Sequence, residues 1–189
     1  LHQAIPEKVM AAPGSPLWIF TLAGLGEDGR PFATVLFYNG GLGGRAAGDG
    51  VSTLSWPSNI SSTPVEVSEQ SRRLLFHSKA LKPDSGGDGH ARGGLGQAIE
   101  IECLSAHELQ ALFVTERTRF GAHGLGGGAH GAIGRVAING QDIDTRRMHL
   151  LKRGDRITIE TPGGGGYGDP AMRPEALRER DRKMGYISR

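Results

Sequence analysis

Glycine gathers in four stretches of this chain, Gly40–Gly50, Gly86–Gly96, Gly121–Gly134 and Gly163–Gly168, and no other feature restricts its folding as severely. A glycine brings no side chain to a core and loses more backbone entropy on folding than any other residue. At 31 of 189 positions, against an ordinary share of about 7%, the excess is tolerable only where backbones approach closely or φ turns positive. No Gly-X-Y period runs through it, which excludes a collagen-like chain.

Lysine and arginine number 22 and aspartate and glutamate 20, for a net charge of +2 with the signs interspersed. No single-sign field is present to attract nucleic acid, so no nucleic-acid partner is expected. The longest apolar run, Leu17–Leu25, is interrupted by Thr21 and Gly24 and falls far short of the roughly 20 residues of a membrane span. A lone cysteine, Cys103, cannot close an internal disulfide, and no basic segment followed by an apolar one opens the chain. A reducing, cytoplasmic location is therefore expected. Cys103 continues the alternation Ile99, Ile101 and reads as a buried strand thiol rather than a nucleophile. A first residue of leucine rather than methionine suggests a fragment or a processed chain.

Leu17–Leu22, Phe32–Tyr38, Leu74–Leu81, Ala98–Glu102 and Ala111–Thr115 are short apolar or alternating runs and are predicted as strands. Asn139-Gly140 within Arg135–Ile143 predicts a hairpin with a type I′ turn. Glu27–Arg30 is expected to turn between the first two strands through positive φ at Asp28-Gly29. Lys152–Asp155 reads as a turn into Ile157, Ile159 and Thr161 at period two, halted by Pro162. Gly163–Gly166 is expected to form a tight structural turn into the one clear helix, about Pro174 to Met184, with Pro174 at its start and Gly185 as a left-handed C-cap. No linker or repeat divides the chain. The expected fold is α+β, predominantly β with glycine-rich loops and one C-terminal helix, residues 1–189 forming a single unit.

Several motifs fail on context. Gly41-Leu-Gly-Gly-Arg-Ala46 fits a dinucleotide fingerprint, yet no helix follows to hold a pyrophosphate. Gly163–Gly166 lacks the Gly-Lys-Ser/Thr ending of a P-loop. His123 and His130 lie seven apart without a nearby carboxylate or thiolate, so they read as flexible surface residues and no metal site is assigned. No Gly-x-Ser-x-Gly elbow supports a Ser-His-Asp triad. Three groups stay open: Arg45 with Asp49 is either part of an anion-binding concavity or a pair stapling its loop; Thr63 with Glu66 fits a capping box; Glu116, Arg117 and Arg119 form either an anion site at a strand end or a solvated charge cluster.

Taken in order, Gly40–Arg45 with Asp49-Gly50, Ser62–Glu66, Lys82–Gly89 with Arg92–Gly96, Gly154-Asp155 and Thr161–Pro170 resemble the C-terminal part of the hydantoinase B and 5-oxoprolinase family over about residues 15 to 187. The resemblance implies a B-type subunit in ATP-dependent opening of cyclic amides such as hydantoins or 5-oxoproline. ATP and Mg are then held by a partner A-type subunit that phosphorylates the substrate carbonyl. It also implies a missing N-terminal portion of several hundred residues, which carries the metal ligands of related members. Asp49, Glu66 and Glu116 match polar positions that would be catalytic, and Arg45, Thr63 and Arg117 positions that would bind substrate. The alternatives are a subunit of a related ketone carboxylase and a non-catalytic assembly module. This sequence departs from the pattern at Gly44, at Ser62-Thr63 and at Ala122-His123, where the family carries alanine, Asn-Thr and Pro-Trp. The third glycine stretch is thus where a change of function is expected, while the other three argue for a specified backbone rather than disorder.

Overall fold

The computed structural model describes residues 2–15 and 17–188. Nine strands are described: β1 (Trp18–Leu25), β2 (Pro31–Tyr38), β3 (Leu74–Leu81), β4 (Gln97–Cys103), β5 (Leu109–Val114), β6 (Arg135–Ile138), β7 (Gln141–Asp142), β8 (His149–Leu151) and β9 (Arg156–Glu160). They form two antiparallel sheets, ordered β2-β1-β5-β8 and β3-β4-β9-β6-β7. Two α-helices, α1 (Val65–Arg72) and α2 (Glu175–Lys183), and two single 3-10 turns, Pro6–Lys8 and Pro170–Met172, accompany them, so the fold is mostly β with a C-terminal helix.

The strands bury alternate residues, as the two-residue period of a strand requires. Trp18, Phe20 and Leu22 of β1 and Leu109, Ala111 and Phe113 of β5 meet Ile99, Ile101 and Cys103 of β4 and Ile157 and Ile159 of β9 in one buried cluster. The sheets therefore pack face to face as a sandwich. Phe20 stacks on Phe113 at 4.7 Å between ring centroids. Cys103 is fully buried in this core, and burial pushes its thiol pKa up.

The registers bring one end of both sheets together. Trp18 pairs with Tyr38, Ile19 with Val114, Leu81 with Gln97, Ala98 with Glu160 and Arg135 with Glu160. All four glycine stretches leave from that end, and there they pack backbone against backbone. Thr161 ties them to the sheets: its buried hydroxyl accepts from the Gln97 N–H (2.7 Å) and donates to the Asn39 carbonyl (2.9 Å).

Gly163–Gly166 runs through the middle of this block as an extended rod, not the tight turn its sequence suggests. Its N–H groups donate in succession to the carbonyls of Ala132, Gly94, Ala12 and Ala129, and Tyr167 then donates to Ala91. The partners recur every third residue, the repeat of a polyproline II-like chain. A Cβ on Gly163, Gly164, Gly165 or Gly166 would lie 1.8 to 2.2 Å from the carbonyl oxygen of Ser85, Leu42, His123 or Asp88 respectively. Close approach on every side, rather than turn geometry, is what demands glycine here.

The turns follow their residues. Asn139 and Gly140 both take positive φ, 52° and 80°, as a type I′ hairpin requires. At Asp28-Gly29 only the glycine does so (72°); Asp28 contributes through its side chain, which accepts from the Arg30 N–H at 3.0 Å. Helix α2 ends in a Schellman motif: Tyr186 N–H donates to the Asp181 carbonyl, Gly185 N–H to that of Arg182, and Gly185 is left-handed.

Candidate functional site

The six residues singled out from sequence fall in three places. Arg45 lies on the tight turn closed by paired backbone bonds with Gly48; its side chain is exposed and makes no ion pair among the described residues. Asp49, four residues on, does not meet it, so the Arg45–Asp49 staple does not form. Thr63 precedes α1 and Glu66 lies in its first turn; Thr63 lines a narrow crevice with Leu36, Phe76 and Lys79, at the seam where β2 and β3 approach. The capping box is not made there: Pro64 is the N-cap and no side chain caps the helix. Glu66 is exposed. Glu116 and Arg117 follow β5, Glu116 exposed and Arg117 half-buried. Arg117 has φ 54° and its guanidinium donates to the Gly121 carbonyl at 3.5 Å.

Asp49 instead enters a charge network that the sequence did not reveal. Arg173 grips both its oxygens (2.7 and 3.0 Å), Arg180 donates to Oδ2 (2.7 Å) and the Arg92 backbone N–H to Oδ1 (2.8 Å). A second carboxylate, Asp181 on α2, accepts from Arg173 (2.5 Å), Arg180 (3.1 Å) and Arg92 (3.2 Å). The Asp181 side chain is 0% exposed, that of Arg92 5% and that of Arg173 8%. The Arg92 guanidinium also lies over the Tyr186 ring, 5.2 Å from its centroid. Burial alone would raise the Asp49 pKa; the hydrogen bonds from Arg173 and Arg92 and their charges overcome that and bring it to about 2.

This network explains why α2 docks at all. Its sequence, Glu-Ala-Leu-Arg-Glu-Arg-Asp-Arg-Lys, has no apolar stripe to bury, so charge pairing holds it against the first two glycine stretches. The trace of it in the sequence is a helix without an apolar stripe that carries one aspartate among basic residues; that the aspartate is buried only the structure shows.

The network borders a cleft of about 470 Å³ lined by Asp84, Asp88, His130, Arg173, Arg178 and Arg182 among others. A second cleft, of about 700 Å³, opens along the seam between the sheets with Lys82, Arg119, Arg135, Asp142, Asp144 and Glu160 on its walls. Thr115 and Thr145 share a hydroxyl hydrogen bond of 2.7 Å there. Both clefts offer donors and charges of both signs.

The hydrogen-bonded histidines meet no nucleophile: His77 lies 2.7 Å from Glu102, His149 donates to the Asp144 carbonyl, and His130 accepts from the Gly124 N–H. His123 and His130 contact each other edge to face at 4.6 Å. Both are exposed, but their loop is pinned, with Ala12 N–H donating to the His123 carbonyl and Gly131 N–H to that of Ala122. Among the described residues no three His, Cys, Asp or Glu side chains converge as a metal site, and no helix is long and apolar enough to cross a membrane.

Comparison with known proteins gives a consistent result. The Hydantoinase B/oxoprolinase family model matches residues 1–170. The caprolactamase subunit beta of Pseudomonas jessenii is 31% identical over the whole of this chain, which covers 35% of that subunit. The 5-oxoprolinase 1 of Arabidopsis thaliana is 33% identical over 68% of this chain and 10% of its own length. Among solved structures, the ATP-dependent caprolactamase from Pseudomonas jessenii superposes with a TM-score of 0.77 at 27% identity, over 99% of this chain and 35% of that one. A nucleotide-free acetone carboxylase shares the fold, with a TM-score of 0.83 at 21% identity over 98% of this chain and 30% of that one. The 189 residues thus span about a third of the caprolactamase subunit.

Proposed function

We propose that this chain, which belongs to the hydantoinase B/oxoprolinase family, is one portion of a B-type subunit that opens cyclic amides with an ATP-using A-type partner. The observation that carries the reading is the match of the entire chain to the caprolactamase beta subunit. A cyclic amide is a poor electrophile because nitrogen donates into its carbonyl. Phosphorylation of the carbonyl oxygen by the partner would leave a carbon that water can attack; ring opening then breaks the C–N bond, with the nitrogen taking a proton, and a second water releases the phosphate, steps that the B-type part completes.

ATP and Mg are assigned to the partner. The described residues do not fit them: no three His, Cys, Asp or Glu side chains converge, the two carboxylates that do approach each other, Asp49 and Asp181, are taken up by arginines, and there is no P-loop. Within this reading the exposed carboxylates of Glu66 and Glu116 are candidates for orienting water, and Arg45, Thr63 and Arg117 for holding substrate or intermediate, in a cleft that the remainder of the subunit completes. Asp49, saturated by two arginines and ionised down to about pH 2, is assigned to holding the loop that presents Arg45. The dispersal of these residues favours a second reading, a module that supports assembly without touching substrate.

The two readings separate in one assay. ATP hydrolysis dependent on a lactam, hydantoin or 5-oxoproline is measured with family A-type subunits, with and without this chain. Stimulation by the chain, reduced by Glu66→Gln or Glu116→Gln, is expected. Absence of stimulation in every pairing refutes the enzymatic reading.

A further inference from the structure

The two sheets treat their outer faces differently. On β4 and β9 the residues between the buried isoleucines are charged or polar, including Glu100, Glu102, Arg156 and Thr158, and Arg156 pairs with Glu100 at 3.0 Å. That is the alternation of a sheet with one wet face. On the other sheet the inner face is apolar and the outer face is largely so, uncharged, with Thr21 and Gln110 as its polar members on β1 and β5. Thr21 lies between Val35 of β2 and Leu112 of β5, and Ile19 lies opposite Val114. Outward-facing Val114 is 58% exposed, Leu150 53%, Leu112 43% and Val35 41%. Strands β1 and β2 have eight residues, β5 six and β8 three, so at a rise of about 3.3 Å and a spacing of about 4.8 Å the face is roughly 14 Å wide and narrows from about 26 Å at β2 to about 10 Å at β8. An apolar surface of that size, roughly 300 Å², already matches the largest patch of a typical monomer, which is often an interaction site, and near-continuous apolar strands mark sheets buried on both sides.

We propose that this outer face of β2-β1-β5-β8 is the surface on which the remaining portion of the longer B-type subunit packs, through an apolar, uncharged surface of its own. The inference rests on the reading of this chain as part of such a subunit. It is supported by the length of the relatives, in which about two thirds lies outside the match, enough to supply the cover. The wet face of the other sheet, with its Glu–Arg pairs, stays in solvent.

The test is thiol labelling, which does not depend on turnover, so failure of the proposed reaction leaves it unaffected. Leu112→Cys and Val114→Cys are compared with Ser78→Cys, an exposed position in the other sheet, in the 189-residue chain alone and in a caprolactamase beta subunit carrying this chain in place of its matching third. Buried Cys103 reports folding by staying unreactive. In the chain alone all three introduced thiols are expected to react at similar rates. In the longer subunit the two face positions are expected to slow at least tenfold while Ser78→Cys is unchanged. Equal rates at Leu112→Cys in both settings overturn the proposal. So does protection in the chain alone that is lost on dilution, which assigns the face to a second copy. If Cys103 reacts in the chimera, the same labelling at the two aligned positions of the caprolactamase beta subunit itself decides, by the same criterion.

Discussion

Removing the Asp181 carboxylate probes the charge network most directly. Asp181→Ala leaves the Arg92 and Arg173 guanidiniums where they are, with side chains 5% and 8% exposed. Arg173 keeps Asp49, but among the described residues the Arg92 guanidinium keeps as direct contacts the Gly93 carbonyl at 2.6 Å and the Tyr186 ring, with the Asp49 charge acting on it from a distance. Breaking one member of a buried pair in this way costs about 3–5 kcal/mol, because an uncompensated charge stays buried. With a urea m-value of about 2 kcal/mol/M, the unfolding midpoint falls by roughly 1.5–2.5 M with m unchanged. Arg92→Met combined with Asp181→Leu removes the charge together with its partner and recovers much of the loss, since replacing a buried pair by apolar groups is often close to neutral. As an internal control, Glu108→Ala breaks the exposed Lys152–Glu108 pair at 3.6 Å and costs less than about 1 kcal/mol. A midpoint shift for Asp181→Ala no larger than that of Glu108→Ala refutes the view that this network anchors α2.

Asp49 adds a pH dependence of definite sign. Its pKa is about 2 when folded, against about 3.9 for a free aspartate, so its contribution of about 2.5 kcal/mol is fully present above about pH 5 and is lost as pH falls through 2. Acid unfolding of Asp49→Asn should lack that part of the slope; an unaltered profile removes Asp49 from the account. Two glycine substitutions separate packing from backbone conformation. Gly164→Ala places a methyl 2.0 Å from the Leu42 carbonyl oxygen, a backbone atom that cannot rotate away, and should cost about 3 kcal/mol, the top of the usual overpacking range, whereas Gly154→Ala, open in space but at φ 89°, should cost about 1–2 kcal/mol. Equal urea midpoints for the two would show that the rod yields.

The strands were legible because each side of the sandwich imposes a period of two. Leu74–Leu81 and Phe32–Tyr38 match β3 and β2 to within a residue, and the Asn139-Gly140 hairpin is where its turn chemistry puts it. Strand β8 has only three residues, too few for a pattern. Helix α1 carries Val65 and Val67 in alternation, a strand-like signal. It sits beside β3, where the Glu69 side chain accepts from the Phe76 N–H at 2.8 Å, a contact made after the chain has turned back on itself. The site was less legible for the same reason. Asp49 was identifiable as unusual, but its partners Arg173 and Arg180 lie 124 and 131 residues away, and no local spacing encodes such a contact. The family resemblance, carried by ordered motifs, supplied the family correctly while leaving the six proposed residues in three separate places.

The glycine rod also bears on how stability varies with temperature. Unfolding a conventional core exposes apolar side chains and raises the heat capacity, whereas exposing peptide groups lowers it. Here the block around Gly163–Gly166 is built of hydrogen-bonded backbone with almost no hydrocarbon between its strands. Its disruption therefore subtracts from the heat-capacity increment contributed by the sandwich. The stability curve of this protein is accordingly flatter than its length alone would give, with heat and cold unfolding set further apart for the same maximum.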